Sequence, residues 1–90
     1  MALEREVQII NKLGLHARAA AKLVTEAAHF SCDIRITKGG REVSGKSIMG
    51  VMMLAAAKGS VLTLSAEGDD AEQALDALDA LIARRFDEDE

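Results

Sequence analysis

His16 and Arg18, in the stretch "KLGLHARAAAKL" from Lys12 to Leu23, have the residue types and spacing to handle a phosphoryl group. An imidazole is a good nucleophile, and a guanidinium two positions on offers a planar fork that matches phosphate oxygens. Gly14 and Leu15 precede the histidine and an alanine-rich run follows it, so His16 falls at the N-cap of a helix that starts at Ala17. The first helical turn leaves N–H groups unpaired and carries the positive end of the helix dipole, which favours an anion held on the ring. A site of this kind takes up a phosphoryl group and gives it away again. The same residues also fit a plainer reading, with His16 an exposed loop residue and Arg18 part of a solvated face.

Other chemistries find less support. His29 sits near the end of the same helix, where a histidine complements the dipole and needs no further role. No second histidine, cysteine or carboxylate lies at ligand spacing from His16, so no metal site is expected. A serine hydrolase needs an oriented base and an enclosing pocket, which a chain of 90 residues hardly provides. Gly45-Lys46-Ser47 resembles the end of a phosphate loop, but the upstream glycine is missing, so no nucleotide and no other cofactor is expected.

A second informative stretch is "KSIMGVMML", which opens with Ser47 as an N-cap. Ile48, Met49, Val51, Met52, Met53 and Leu54 follow with hardly a polar break, and a helix this short cannot bury them all on one face. Flexible thioethers on a surface repack cheaply against different partners. The competing arrangement is a packed helix whose apolar excess is covered by the last helix of the chain.

The elements that position these residues follow from periodicity. Strand-like alternation runs from Leu3 to Ile10, and an apolar stripe of Ala20, Leu23, Val24, Ala27 and Ala28 predicts a first helix from Ala17 to about His29. "CDIRITK" and "REVSG" flank Gly39-Gly40 as a hairpin, and the helix after Ser47 is expected to close on Gly59. "SVLTLSAEG" alternates again as a fourth strand. Asp69 and Glu72 then form a capping-box pattern before a third helix with Ala71, Ala74, Leu75, Leu78, Leu81 and Ile82 on one face. The acidic residues 85–90 are expected to fray. The order is β-α-β-β-α-β-α, with helices sharing one side of the sheet and a right-handed crossover placing strand four between strands one and two.

Composition sets the outer bounds. The chain is 49% hydrophobic but only 2% aromatic, so one small core of aliphatic residues in one domain is expected over residues 1–90. A net charge of −4 argues against nucleic acid, which demands a basic patch. Cys32 has no partner for a disulfide, the first residues carry charges where a secretory signal would be apolar, and no apolar run reaches membrane-spanning length. A cytoplasmic protein without membrane insertion is therefore expected.

With "GLHAR" and "GKSIMGVMMLAA" about thirty residues apart, the chain from Leu3 to Phe86 resembles the HPr family, the histidine phosphocarriers of the phosphoenolpyruvate-dependent phosphotransferase system. The resemblance implies an α+β open-faced β-sandwich, a four-stranded antiparallel sheet with three helices on one side. It implies a carrier rather than an enzyme, in which His16 accepts a phosphoryl group on Nδ1 from enzyme I and passes it to a histidine of a IIA-type protein. Arg18 matches the arginine beside the phosphohistidine, and Ser47 matches a serine that a dedicated kinase phosphorylates in some branches. Ile48, Met49, Met52 and Met53 fall in the partner-docking helix, and a carrier that presents one face to successive partners is most simply a monomer. Ala19 stands where many sugar-branch members have proline, which looks more like the proteobacterial or nitrogen-related branch. A regulatory module acting through the methionine-rich helix and Ser47, with His16 incidental, is the alternative; the His16–Arg18 pair speaks for the carrier.

Overall fold

Alternation of apolar and polar residues builds the sheet. In the computed structural model, which describes residues 2–90, four strands form: β1 (Leu3–Gln8), β2 (Asp33–Lys38), β3 (Arg41–Ser44) and β4 (Val61–Glu67). All neighbours are antiparallel in the order β1-β4-β2-β3, so the fourth strand lies between the first and second as its crossover requires. Ile34 and Ile36 of β2 and Leu62, Leu64 and Ala66 of β4 point to the buried side, while the residues between them stay at least partly exposed. Gly39 and Gly40, both at positive φ (53° and 85°), make the two-residue turn that joins β2 to β3. On β1 the inward register is broken by Arg5, which sits opposite Leu64 and reaches the Asp76 carboxylate at 2.7 Å.

Three helices cover the apolar side: α1 (Ala17–Ala27), α2 (Ile48–Met53) and α3 (Ala71–Ala83). Helix α3 buries Ala71, Ala74, Leu75, Leu78, Leu81 and Ile82, the face its spacing predicts. Helix α1 ends before His29 and buries Ala19, Ala20, Leu23 and Ala27; Ala28 is exposed and Ala19 takes its place in the stripe. Helix α2 stops well short of Gly59, because the chain turns at Ala55, whose φ is 49°.

Two expectations fail at the ends of α3. The helix starts one residue later than the capping-box pattern implied: Asp70 is the N-cap, and no side chain caps the helix. The Asp70 carboxylate instead accepts the backbone N–H groups of Ser31 (2.9 Å) and Cys32 (3.0 Å), tying the start of β2 to the start of α3. These bonds, the Ser31 N–H first among them, hold its pKa below the usual carboxylate value.

Nor do residues 85–90 fray. A short 3-10 turn, Arg85–Asp87, folds the chain back over α1, and Phe86 is buried completely. Arg85, Phe86 and Asp87 all take positive φ (57°, 54° and 65°), a conformation that costs about 1–2 kcal/mol per residue without glycine. Burial of the phenyl ring, worth about 1.5–3 kcal/mol, and the bond from Lys22 Nζ to the Phe86 carbonyl (2.7 Å) offset part of that cost.

Candidate functional site

The loop between β1 and α1 is tied down before it reaches His16. Ile9 is fully buried and exchanges backbone bonds with Gly59 (2.7 Å) and Ser60 (2.9 Å). Asn11, also fully buried, donates its amide Nδ2 to the Gly14 carbonyl at 2.8 Å, and its own carbonyl accepts the Gly14 N–H at 3.1 Å. Gly14 must be glycine: its φ is 68°, and a Cβ there would meet the Ala56 carbonyl oxygen at 2.6 Å. The next residue, Leu15, donates its N–H to that same oxygen at 2.8 Å, so the loop is fastened to the segment that follows α2.

His16 is the N-cap of α1, in extended backbone (φ −73°, ψ 177°), and its carbonyl accepts the Ala20 N–H at 2.8 Å. Its side chain makes no capping bond, and the first turn contains no acidic residue. The half-buried ring meets the Glu88 carboxylate, Nε2 to Oε2. The other carboxylate oxygen, Oε1, accepts the second amide hydrogen of Asn11 at 2.9 Å. Glu88 is thereby held as a carboxylate, its pKa below the usual value, chiefly through the Asn11 bond and then through His16 and Lys22, against some desolvation. His16 Nδ1 makes no hydrogen bond among the described residues.

Arg18 is exposed, one step into the helix, and has no ion pair or hydrogen bond among the described residues. With His16 it lines an open hollow of about 620 Å³, to which Lys12, Leu13 and residues 88–90 also contribute. An imidazole with one ring nitrogen unbonded and an unengaged guanidinium therefore line one solvent-accessible hollow at the uncapped start of α1, an arrangement chemically suited to an anion such as a phosphoryl group.

The chain matches the family model described as "PTS HPr component phosphorylation site" over residues 3–84. It belongs to the HPr family. Its relatives include the phosphocarrier protein HPr of Cupriavidus necator, 57% identical over 98% of this chain and 99% of the relative. Another is the phosphocarrier protein NPr of Shewanella violacea, 49% identical over 96% and 94% of the two chains. Among solved structures, HPr-C-His from Thermoanaerobacter tengcongensis superposes with a TM-score of 0.94 at 48% identity, covering 98% of this chain and 99% of the other. HPr proteins are phosphocarriers of the phosphotransferase system, and the β-α-β-β-α-β-α order with its open four-stranded sheet is theirs.

Helix α2 lies beside this HPr site. Ser47 is its N-cap, with Oγ accepting the Gly50 N–H at 3.1 Å. Ile48, Met49, Met52 and Met53 are 41%, 70%, 43% and 60% exposed, so the apolar excess of α2 faces solvent and is not covered by α3. The structure thus brings His16 and Arg18 together in one hollow and sets Ser47 and the methionines on the neighbouring helix. Leu13 and Glu88 also line the hollow, with the buried Asn11 bonded to Glu88, although sequence reasoning singled out none of the three. The available signal was Phe86, one of two aromatic residues in the chain, placed in an otherwise charged tail. Among the described residues no cluster of three or more His, Cys, Asp or Glu side chains is placed to hold a metal ion, and no helix is long and apolar enough to cross a membrane.

Proposed function

We propose that this protein carries a phosphoryl group on His16 Nδ1 from enzyme I to a histidine of a IIA-type protein, in a sugar or nitrogen-related phosphotransferase system. The observation that carries this reading is the hollow shared by His16, whose Nδ1 is unbonded, and the unpaired Arg18, at the uncapped start of α1. The Nδ1 lone pair attacks phosphorus in line; the new N–P bond forms as the N–P bond to the enzyme I histidine breaks, and that bond's electron pair returns to the donor ring. Arg18 and the N–H groups of the first turn offset the charge on the phosphoryl oxygens. Passing the group on repeats the step with this chain as donor.

Ile48, Met49, Met52 and Met53 form the apolar collar on which each partner docks in turn, and modest affinity lets the carrier leave. Ser47 is a regulatory phosphorylation site for a serine kinase, at the edge of that collar. The protein works as a cytoplasmic monomer.

Intact mass after incubation with enzyme I, Mg²⁺ and phosphoenolpyruvate tests the carrier. One added phosphoryl group, lost on brief acid treatment and absent from His16→Ala, is the expected result. No added mass, with an enzyme I active on another carrier, would overturn the proposal.

A further inference from the structure

We infer that Glu88 is a positioning residue for this phosphotransfer: its carboxylate, oriented by Asn11, keeps the His16 ring proton on Nε2 and so makes Nδ1 the nucleophile. The inference rests on the carrier reading and assigns to the tail a part in that site.

The orientation of each member follows from its neighbours. The Asn11 amide nitrogen lies between two acceptors, the Gly14 carbonyl at 2.8 Å and Glu88 Oε1 at 2.9 Å, so both its hydrogens are engaged and the amide cannot be turned over. Its Oδ1 is buried without a hydrogen-bond partner among the described residues. A fold that leaves one buried acceptor unsatisfied to aim two N–H groups outward is held to that orientation by what they meet. Glu88 therefore accepts from Asn11 through Oε1 and presents Oε2 to His16 Nε2. An ionised carboxylate only accepts, so the nitrogen facing it carries the hydrogen and the other keeps its lone pair.

The charge serves a second purpose. When Nδ1 attacks phosphorus with Nε2 still protonated, the ring acquires positive charge, and the carboxylate on Nε2 stabilises it without taking the proton. When the group moves on, the ring returns to neutrality, and the same proton has stayed on Nε2 throughout. The tail is built to bring this carboxylate to the ring. Phe86 anchors it in the core, Lys22 holds the Phe86 carbonyl, and the left-handed turn at Arg85–Asp87 reverses the chain immediately before Glu88.

The arrangement makes the isosteric replacement worse than truncation. In Glu88→Gln the side-chain oxygen is claimed by Asn11, so the amide N–H₂ faces Nε2 and can only donate to it. The ring proton must then sit on Nδ1, where it blocks attack. Glu88→Ala removes orientation and charge but imposes no wrong tautomer.

Single-turnover phosphorylation by enzyme I and ¹⁵N spectra of the His16 ring, both on the full chain, test this, with thermal melting to show that each variant is folded. The expected rates are highest for the wild type, about tenfold lower for Glu88→Ala, and on the order of a hundredfold lower for Glu88→Gln. In the neutral ring the proton is expected on Nε2 in the wild type and on Nδ1 in Glu88→Gln. Equal rates in folded variants, or a proton that stays on Nε2 in Glu88→Gln, would overturn the role of Glu88 while leaving the carrier intact. A wild-type chain that takes up no phosphoryl group from an active enzyme I would overturn the carrier reading itself, and this role with it.

Discussion

The N-terminus of α2 is closed by Ser47, whose Oγ accepts the Gly50 N–H at 3.1 Å, whereas that of α1 carries His16, whose side chain makes no capping bond. The difference follows from what each helix buries. Helix α1 has eleven residues and buries Ala19, Ala20, Leu23 and Ala27, so tertiary packing holds it whether or not its first turn is capped. Helix α2 has six residues, contains Gly50, and buries Val51 alone. Its first turn depends on the serine. Where packing secures a helix its open end is available for chemistry, and where packing is thin the end is closed for stability.

The largest effect that sharpens this contrast belongs to Arg18. Arg18→Ala keeps the acceptor nitrogen and removes a guanidinium that nothing else engages, so phosphoryl uptake should slow by about ten- to a hundredfold with no change in the single acid-labile site. Rapid-quench kinetics with enzyme I check this, and an unchanged rate would leave the helix start as the sole partner of the phosphoryl oxygens on this chain. The next effect belongs to the closed end. Aspartate caps a helix as well as serine does, so Ser47→Asp should leave α2 formed while placing a charge beside Ile48 and Met49, weakening enzyme I binding by about 1–2 kcal/mol. Calorimetry giving equal affinities would show that the collar does not extend to Ser47.

How much of this was legible in the sequence divides along the same line. Local rules reached the strands, the Gly39-Gly40 turn, the buried face of α3, the Ser47 cap and the position of His16, because periodicity and capping act within a few residues. What they missed depends on contacts far along the chain. Asp70 turned from its own helix to the Ser31 and Cys32 N–H groups, thirty-nine and thirty-eight positions away, a competition that no capping-box pattern can anticipate. Glu88 lies seventy-two positions from His16, in a run of carboxylates that reads as a solvated tail. Only the burial of Phe86 turns that run into a strap, and burial belongs to the fold as a whole. The apolar excess of α2 and its exposure were both legible, because a helix this short cannot bury so many apolar residues on one face.

The smallest effect tests the contrast most directly, because it compares the two helix ends by one substitution. Ser47→Ala removes an oxygen that satisfies the Gly50 N–H on a helix with little else to hold it, and should cost about 1 kcal/mol, a fall in Tm of about 4–8 °C for a chain of this size. His16→Ala removes a side chain that caps nothing. Its contact with Glu88 joins side chains 28% and 20% exposed, but Glu88 keeps its bond from Asn11 when the ring is removed, so stability should stay within about 0.5 kcal/mol of wild type. Denaturant melts of the two variants at neutral pH decide the matter. A loss in His16→Ala as large as that in Ser47→Ala would mean that the ring and the Glu88 strap hold the fold as well as the chemistry, and that α1 is not free of its first turn. The expected asymmetry, with transfer abolished in the stable variant and retained in the weakened one, would place catalysis and stability at separate helix ends.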